Sequence, residues 1–554
     1  MTRPDPAARP RLGPWDLVAA SVVGLFLLAS AFRLGTWPPV HEDEAWEAEP
    51  GWVFWQTGRF ASELFRGFGG SELHDFAFPP LYPMAVGAAL SSAGVSLTTS
   101  RAVSLAFGAA ALVATHLLGR RLFSARHGAI AALFLAAIPI AEPSPFYRSG
   151  IPLFDLARLT RYDVAVPVFG LLALWVLAPV FRGEREPTPW RGAMAGGLTA
   201  MAALAHLHGA AWLAAAVAAL FVTLGTRATR AAVGAAGTFL LLFGLWPAWI
   251  LLHPSDALEQ LRNYAPRLQV TSPGYLFANV AHEVERFSPV KAALANGRPG
   301  AVVGVAFAAA GSLLLLRGFR RNPAARALVA AGATLSFSFA LLLTKKHHTY
   351  AVALWPFAAL AAAMAASDLW DRGGRFGKGL LVAALAIAFA GTGLAAGRFV
   401  SESGPATPYA VFGDRLLAVV QRGPSRRPPA HPRVLAMQHW WFALATQADV
   451  RSWLVPVFLT NVRYVAAPLS FADAVRLSAP DLVVVDPTMR TFLSEGDGGA
   501  RSFAPLAREI RAWLGERATL RIALLSDPTY GDVEVFQVSA SPGAPSPERP
   551  RAED

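Results

Sequence analysis

Long apolar runs without charged residues recur along most of the chain before residue 400. Several of them are about 17–23 residues long, the length that an α-helix needs to cross the apolar core of a bilayer. The 554-residue chain is 54% hydrophobic and has a mean hydropathy of +0.40, which is too apolar for an ordinary soluble protein. The sequence therefore predicts a polytopic α-helical membrane protein.

The basic residues indicate how these runs are oriented. The chain has 49 Lys and Arg against 37 Asp and Glu, a balance that by itself could suggest a nucleic-acid partner. Most arginines, however, lie in short gaps between apolar runs, as the positive-inside rule describes for cytoplasmic loops. Membrane topology thus accounts for the charge, and no nucleic-acid partner is predicted.

Placing the basic gaps on the cytoplasmic side gives about eleven transmembrane helices and an external C-terminus. The stretch 80–96 is apolar but contains Pro83 and Gly87, and we assign it to an interfacial or re-entrant helix. Counting it as a span would put the basic residues 119–126 outside, against the charge rule. The predicted spans are 15–36, 101–119, 128–142, 164–181, 192–206, 209–225, 232–252, 300–316, 326–343, 350–367 and 379–399.

The composition changes beyond residue 399. Six prolines fall within 400–433, and the segments that follow alternate between strand-like and helix-like patterns, which predicts a small α/β domain. The chain has no cysteine, so no disulfide supports this domain. The predicted organisation is a cytoplasmic tail 1–14, a membrane domain 15–399 with external loops 37–100 and 253–299, a Pro-rich linker 400–433, an extracytoplasmic α/β domain 434–541 and a disordered tail 542–554.

A dense acidic cluster begins the first external loop. Tryptophan and phenylalanine residues follow it closely, as in segments that lie in a membrane interface. An acidic run is commonly a solvated loop, but carboxylates held against a bilayer need cations, hydrogen bonds or a substrate to compensate them. We therefore interpret the cluster as a candidate site. Its carboxylates, with no Lys or Arg among them, are Glu42, Asp43, Glu44, Glu47 and Glu49.

The predicted topology places other unusual polar residues on the same face. Lys345 and Lys346 break the positive-inside pattern, which an external anion would explain, with snorkelling to lipid phosphates as the alternative. Arg158 and Asp163 could alternatively pair with each other at a helix end. His206 and His208, at a hairpin tip, could equally be interfacial histidines without a ligand. The remaining members of this set are Arg161, His348 and Tyr350.

Several of these residues occur in the order found in one family. The chain resembles the polyprenyl-phosphate-sugar glycosyltransferases of the GT-C fold, which include protein O-mannosyltransferases and bacterial aminoarabinose transferases. The resemblance covers roughly residues 15–399, and His208-Gly209 departs from the Lys-Gly that many relatives carry at this hairpin tip. It is carried by Asp43-Glu44, by Pro79-Pro80-Leu81-Tyr82, by residues 158–163, and by Lys345 and Lys346 with Tyr350 and Pro356.

The resemblance implies transfer of a sugar from a polyprenyl-phosphate carrier, with inversion, at the external face of the cell (inner) membrane. The implied partners are the lipid-linked sugar, membrane lipid, and a lipid, glycan or protein acceptor. Asp43 matches the family's first-loop acid and is implied to be the general base.

The other site residues take their implied roles from the same resemblance. Glu44 is implied to orient the acceptor or to bind a divalent metal ion, if one is used, and Asp163 to orient the acceptor or share the base role. The carrier phosphate would be held by Lys345 or Lys346, with Arg158 or Arg161 and with Tyr350. His206, His208 and His348 are candidates for substrate or metal contacts.

Two other classes of function predict sequence features different from those of a transferase. A transporter or flippase predicts charges near helix midpoints and an internal repeat, whereas the helix centres here are almost free of charge. A non-catalytic membrane scaffold leaves the external acids and lysines unexplained. We therefore favour the glycosyltransferase.

Overall fold

The computed structural model describes residues 12–262, 273–422, 431–498, 504–518 and 520–539. Most of the predicted cytoplasmic tail 1–14 and all of the predicted disordered tail 542–554 lie outside these residues. So do residues 263–272 of the second predicted external loop and 423–430 of the predicted linker.

The chain divides into two compact units, Met1–Phe60 with Phe76–Ala406, and Ala61–Asp75 with Thr407–Asp554. The described residues of the first unit form α-helices, short 3₁₀ helices and the loops between them, without a β-strand. Its α-helices are α1 (Pro14–Ala31), α2 (Glu42–Thr57), α3 (Leu81–Ala93), α4 (Leu97–Leu122), α5 (Ala125–Ala137), α6 (Pro152–Leu156), α7 (Ala165–Phe181), α8 (Pro189–Ala205), α9 (Ala211–Leu224), α10 (Thr229–Leu252), α11 (Pro254–Leu261), α12 (Pro273–Ala281), α13 (Ser288–Ala295), α14 (Pro299–Gly318), α15 (Pro323–Leu342), α16 (Trp355–Arg372) and α17 (Gly374–Ser403). Short 3₁₀ helices include Tyr162–Val164, Leu207–Ala210, Gly225–Ala228, His282–Phe287 and His348–Ala353.

All eleven predicted windows form helices, and the prediction of a polytopic helical membrane protein is confirmed. Among the described residues, seven segments are long and apolar enough to cross a membrane, fewer than the eleven spans predicted. The difference of four arises because α5 has only 13 residues and α8 only 17, α9 and α10 fall within one segment, and the 18-residue α16 carries three charged residues, Asp368, Asp371 and Arg372. The seven segments are Pro14–Ala31, Leu97–Leu122, Tyr162–Phe181, Leu207–Leu252, Pro299–Gly318, Pro323–Leu342 and Gly374–Ser403.

The apolar stretch 80–96 forms the 13-residue helix α3, which packs directly against α2. The two backbones touch where Gly51 of α2 faces Pro83 and Gly87 of α3. A Cβ atom added at Gly51 would lie 1.7 Å from the carbonyl oxygen of Pro83, and one added at Gly87 would lie 2.1 Å from the carbonyl carbon of Gly51. Only glycine permits this approach, so the contact fixes α2, the helix that carries the acidic cluster.

The second unit contains the predicted C-terminal sheet domain. Its five described strands are β1 (Arg433–Ala436), β2 (Asp449–Ser452), β3 (Leu482–Val485), β4 (Leu520–Asp527) and β5 (Gly531–Gln537). They form one sheet in the order β2-β1-β3-β5-β4, with β1 parallel to both β2 and β3, and β5 antiparallel to both β3 and β4. The α-helices are α18 (Tyr409–Arg422), α19 (Trp441–Leu444), α20 (Leu454–Leu459), α21 (Phe471–Ser478), α22 (Pro487–Gly498) and α23 (Ala504–Arg517), and Gln438–Trp440 is a 3₁₀ helix.

This unit is larger than the predicted domain 434–541. Part of the predicted linker 400–433 is the helix α18, which buries Phe412, Leu416 and Val420 at helical spacing. Residues 61–75 also belong to the unit: the carbonyl oxygen of Leu64 accepts a hydrogen bond from the Ser452 amide at 2.9 Å. Contacts between residues so far apart in sequence leave no local pattern, so the sequence carries no signal for this part of the unit.

We expect Gly51→Ala to destabilise the protein, because the added methyl group collides with the α3 backbone and overpacking costs about 1–3 kcal/mol. Thermal unfolding of the detergent-purified protein measures the effect. The matched control is Gly393→Ala in α17, where an added Cβ meets nothing within 4 Å. Equal unfolding temperatures for the two variants would contradict the close contact between the backbones of α2 and α3.

Candidate functional site

The acidic cluster lies in the first turns of α2, where two reciprocal hydrogen bonds fix the start of the helix. The Nδ1 atom of His41 accepts from the Asp43 amide at 3.1 Å, and the Glu44 carboxylate accepts from the His41 amide at 2.8 Å. This capping box satisfies amides that a helix N-terminus leaves without intrahelical partners. The acids are also favoured there by the positive end of the helix dipole.

Glu44 is fully buried and forms a bidentate ion pair with Arg101 of α4. Its two oxygens accept from the Arg101 guanidinium at 2.7 and 2.8 Å, from the His41 amide, and from the Thr160 amide at 2.8 Å. The remaining donors of Arg101 bind the carbonyl oxygens of Leu34 and Pro38. Glu44 therefore joins α2 to α4 and to residue 160, which differs from its predicted role as an acceptor or metal contact.

Arg161 brings three carboxylates together. Its guanidinium lies 2.8 Å from Asp43, 3.3 Å from Glu47 and 3.0 Å from Asp163. The backbone amide of Tyr162 donates a further hydrogen bond to Glu47 at 2.9 Å. The predicted site residues Asp43, Asp163 and Arg161 are thus in direct contact, and Glu47 joins them.

The three acids bound to Arg161 differ in how far their side chains are exposed to solvent. The side chain of Asp43 is 34% exposed, whereas those of Glu47 and Asp163 are 1% and 0% exposed. Burial opposes ionisation of Asp43, but Arg161 and the neighbouring basic side chains outweigh it and hold its pKa below the usual 3.8. Burial raises the pKa of Glu47 well above 4.5 in spite of Arg161, and the nearby acids raise it further. Asp43 is therefore the ionised acid of this group that a second molecule can reach.

Arg158, a predicted phosphate ligand, is buried and binds the end of α1. Its guanidinium donates to the carbonyl oxygens of Ser30 and of Trp37, the latter at 2.5 Å. The Ser30 carbonyl lies in the last turn of α1, where a cation is favourable, and Trp37 lies in the loop that follows. Asp163 pairs with Arg161 and not with Arg158, so the alternative pairing of Arg158 with Asp163 is not formed.

Lys346 is likewise committed to the fold. Its ammonium group lies 2.8 Å from Glu283 and donates to the carbonyl oxygen of Ala340 at 2.8 Å, and its side chain is 3% exposed. Glu283 also pairs with the buried Arg286 at 2.6 Å. Lys345, by contrast, is exposed and close enough to Asp43 to lower the pKa of that acid.

The predicted histidines lie in an aromatic cluster beside Arg161. His206 stacks on Tyr162 with ring centroids 4.2 Å apart, and His208 lies 4.8 Å from Tyr350. Burial, the largest cause, lowers the pKa of His348 to about 4, and the nearby Arg161 lowers it further. The cluster therefore offers a neutral imidazole and aromatic faces next to the charged group.

The site residues missed by sequence reasoning are the buried partners of the acids and lysines: Arg101, Glu283 and Arg286. Arg101 stands at the start of an apolar run, and no local signal ties it to an acid 57 residues earlier. Glu47 was recognised only as part of the acidic run. Its spacing of four residues from Asp43 would have placed both on one helix face.

No family model and no curated protein sequence matches the chain. Several solved structures match it. ArnT from Cupriavidus metallidurans bound to undecaprenyl phosphate superposes with a TM-score of 0.57 at 14% identity, covering 93% of this chain and 97% of that one. The Archaeoglobus fulgidus oligosaccharyltransferase in complex with Zn and sulfate gives 0.56 at 14% identity, covering 92% of this chain and 72% of that one.

These likenesses define the class of fold. The chain has the architecture of the GT-C membrane proteins, and the fold expected from the sequence is confirmed. A third structure, the Archaeoglobus fulgidus oligosaccharyltransferase AglB with an inhibitory peptide and a dolichol-phosphate, agrees at a TM-score of 0.54 and 16% identity, over 88% of this chain and 72% of that one.

The residues present do not fit a divalent metal ion. Among the residues that the structure describes, no group of three or more His, Asp or Glu is placed to hold one. The Arg161 guanidinium lies between Asp43 and Asp163, where a cation shared by these carboxylates would otherwise be needed. No chemical step is therefore assigned to a metal ion.

We expect Arg101→Ala to destabilise the protein severely, because it leaves Glu44 buried without its partner and such losses cost about 3–5 kcal/mol. Thermal unfolding in detergent measures the loss. The control is Arg372→Ala, which removes an exposed pair with Asp368 and should cost at most about 1 kcal/mol. The joint change of Arg101 to Met and Glu44 to Gln should recover part of the loss. Similar unfolding temperatures for Arg101→Ala and Arg372→Ala would contradict this role.

Proposed function

We propose that the chain is an integral-membrane glycosyltransferase that moves a sugar from a polyprenyl-phosphate carrier to an acceptor, with inversion, at the external membrane face. The observation that carries the proposal is the state of Asp43. It is an ionised, 34% exposed carboxylate held at 2.8 Å by a buried arginine, at the end of the membrane helices where α1 leads into α2.

Asp43 has the geometry of a general base. Its Oδ2 atom is bound to Arg161, and no hydrogen bond within the described residues is made by Oδ1. In the proposed step, Oδ1 takes the proton of the acceptor hydroxyl while that oxygen bonds to the anomeric carbon. The bond from this carbon to the carrier phosphate oxygen breaks, and its electron pair stays on the phosphate. The products are the glycosylated acceptor and the polyprenyl phosphate.

Arg161 supports this chemistry by positioning. It fixes Asp43 Oδ2, and Asp163 and Glu47 hold the guanidinium from its other sides. A base kept in one orientation loses less entropy on reaching the reactive geometry. Because three carboxylates already surround Arg161, we assign it to positioning Asp43 and not to the carrier phosphate.

We assign the carrier phosphate to Lys345. Lys345 is exposed and acts electrostatically on Asp43, so a phosphate at Lys345 would lie beside the base. The aromatic and imidazole faces of Tyr350 and His206 are the surfaces that we propose for the sugar, with the buried His208 packed behind them.

The similar structures support a lipid-phosphate donor. One is ArnT bound to undecaprenyl phosphate, and another is AglB in complex with a dolichol-phosphate. Together with the apolar helices, they support a protein integral to the cell membrane. We further propose, from the positive-inside pattern, that the acidic cluster and the C-terminal sheet domain are both extracytoplasmic.

Asp43→Asn should abolish transfer while leaving the fold and donor binding intact. The amide keeps the shape of the carboxylate but cannot accept the proton, and loss of a general base typically lowers rates about 10²–10⁴-fold. Transfer is measured with purified protein and lipid extracts of its source, as radiolabelled sugar released from the carrier. Because the pKa of Asp43 lies below 3.8, the parent should lose no activity through this group between pH 7 and pH 5.

The matched control is Glu42→Gln, which changes a partly exposed acid one residue earlier in the same helix turn. It should stay within a few-fold of the parent. Near-parental turnover of Asp43→Asn would refute the base assignment, and Asp163 would become the next candidate. A parallel loss in both variants would instead indicate a general effect on the start of α2.

Lys345→Gln should weaken binding of polyprenyl phosphate about tenfold or more, since hydrogen bonds to charged groups contribute about 1.5–3 kcal/mol. Unfolding temperature should hardly change. Lys346→Gln should lower the unfolding temperature and leave binding of polyprenyl phosphate nearly unchanged. The reason is that it removes the buried ion pair with Glu283, which also pairs with Arg286. Binding is measured by microscale thermophoresis in detergent. Donor affinity unchanged in Lys345→Gln, in a protein that still binds, would remove Lys345 from the proposed site.

A further inference from the structure

An apolar groove of about 400 Å³ runs between α1, α5 and α17. Its walls include Phe26 and Phe32 of α1, Ala137 of α5, and Ala396 and Phe399 of α17. On α1 the lining begins at residue 22 and continues past the C-terminus of the helix. The groove therefore lies toward the end of α1 that leads into α2 and the acidic cluster.

The groove opens on the periphery of the helical unit. Only 17% of the apolar window of α1 and 11% of that of α17 is buried, so both helices turn most of their surface outward. Both are also long and apolar enough to span a membrane. Lining residues such as Leu25 and Val400 are exposed. A groove of this kind in a membrane is in contact with the hydrocarbon chains of lipids.

A set of contacts connects the end of the groove to Arg148. The lining residue Phe399 lies 4.6 Å from the guanidinium of Arg158, which donates to the carbonyl oxygen of Trp37. The indole ring of Trp37 in turn lies 5.3 Å from the guanidinium of Arg148. Ser149, the next residue, lines the groove itself. Arg148 is thus adjacent in sequence to a residue of the groove wall, and Trp37 contacts both Arg148 and Arg158.

Arg148 differs from the other arginines around it. Arg33 donates to carbonyl oxygens at residues 403, 404 and 406, and Arg398 pairs with Glu402 at 2.6 Å. In the part of the chain that the structure describes, Arg148 has no carboxylate or carbonyl partner. Its Nε atom and the Nε1 atom of Trp37 are both shielded from solvent and lack a hydrogen-bond acceptor. Buried donors without acceptors are costly, so an external acceptor is indicated.

We propose that this groove binds an acyl chain of an anionic phospholipid whose phosphate accepts hydrogen bonds from Arg148 and Trp37. A cation beside an indole, at the end of an apolar surface, matches the headgroup level of a bilayer. The proposal requires only that the protein is inserted in a membrane. It does not depend on sugar transfer, and its test can fail or succeed separately from the proposed function.

The lipid site is distinct from the acidic cluster, although one segment serves both. Phe146 and Tyr147 contact the candidate functional site. The ring centroids of Phe146 and His41 are 4.9 Å apart, and the Tyr147 hydroxyl donates to the carbonyl oxygen of His348. Arg148 and Ser149, the next two residues, face Trp37 and the groove. The segment therefore separates an anion at Arg148 from one at Lys345.

The test uses the full chain in phosphatidylcholine nanodiscs that contain a trace of phosphatidic acid with a diazirine on its acyl chain. The comparison probe is phosphatidylcholine with the same diazirine chain. After irradiation, labelled peptides of α1 and α17 are quantified by mass spectrometry. We expect phosphatidic acid to label the groove about fivefold more than phosphatidylcholine, the preference that one cation near a membrane surface contributes.

Two variants locate the binding. Arg148→Gln should remove the preference for phosphatidic acid, and Ala396→Trp should fill the groove and lower labelling by both probes several-fold. Ala390→Trp is the matched control, because Ala390 is also an exposed alanine of α17 but does not line the groove. Unfolding temperatures of all variants are compared with the parent, so that loss of fold is not mistaken for loss of lipid.

Three outcomes would overturn the proposal. Equal labelling by both probes in the parent would reduce the groove to a surface covered by bulk lipid. An unchanged preference in Arg148→Gln, in a protein as stable as the parent, would remove Arg148 as the headgroup contact. Displacement of phosphatidic acid by undecaprenyl phosphate at equal concentration would assign the groove to the carrier lipid instead.

Discussion

Two buried arginines, Arg101 and Arg161, hold the acidic face of α2 in place. Arg101 neutralises Glu44 and ties the start of the helix to α4, while Arg161 spans Asp43, Glu47 and Asp163. Four carboxylates so close together would repel one another strongly at the low dielectric constant of the interior. Removing either guanidinium would therefore disturb both the packing of α2 and the ionisation of its acids. Structure and candidate chemistry depend on the same charges.

The sequence was sufficient for the helices, because hydropathy and loop charge are local properties. It also grouped Asp43, Asp163 and Arg161 in one candidate site, and in the structure both acids contact Arg161. It could not divide the cations among their roles. Whether Lys346 meets a ligand or Glu283 depends on a partner 63 residues away, and a single sequence carries no signal for such pairs. The same limit applies to residues 61–75, which join the C-terminal unit through contacts with β2.

The accessible and inaccessible acids illustrate how environment assigns roles. Asp43 and Glu47 are four residues apart on one helix and share one guanidinium nitrogen, yet only Asp43 reaches solvent. Its pKa is lowered, whereas that of Glu47 is raised. In the proposed reaction this difference leaves one ionised carboxylate facing the acceptor and a second acid, which ionises less readily, behind it. Burial causes this difference in pKa, because two carboxylic acids in the same surroundings would ionise alike.

The crowding of acids around Arg161 has a consequence for turnover. In the proposed step Asp43 accepts a proton and loses its charge, while the carrier phosphate gains charge. A carrier phosphodiester bears about one negative charge, but the phosphate monoester left after transfer bears about 1.5 to 2 near neutral pH. Negative charge therefore moves from Asp43 to the phosphate at the moment the sugar leaves. In the proposed enzyme, release of the proton from Asp43 would restore its charge beside the spent lipid, and the repulsion between the two would favour release.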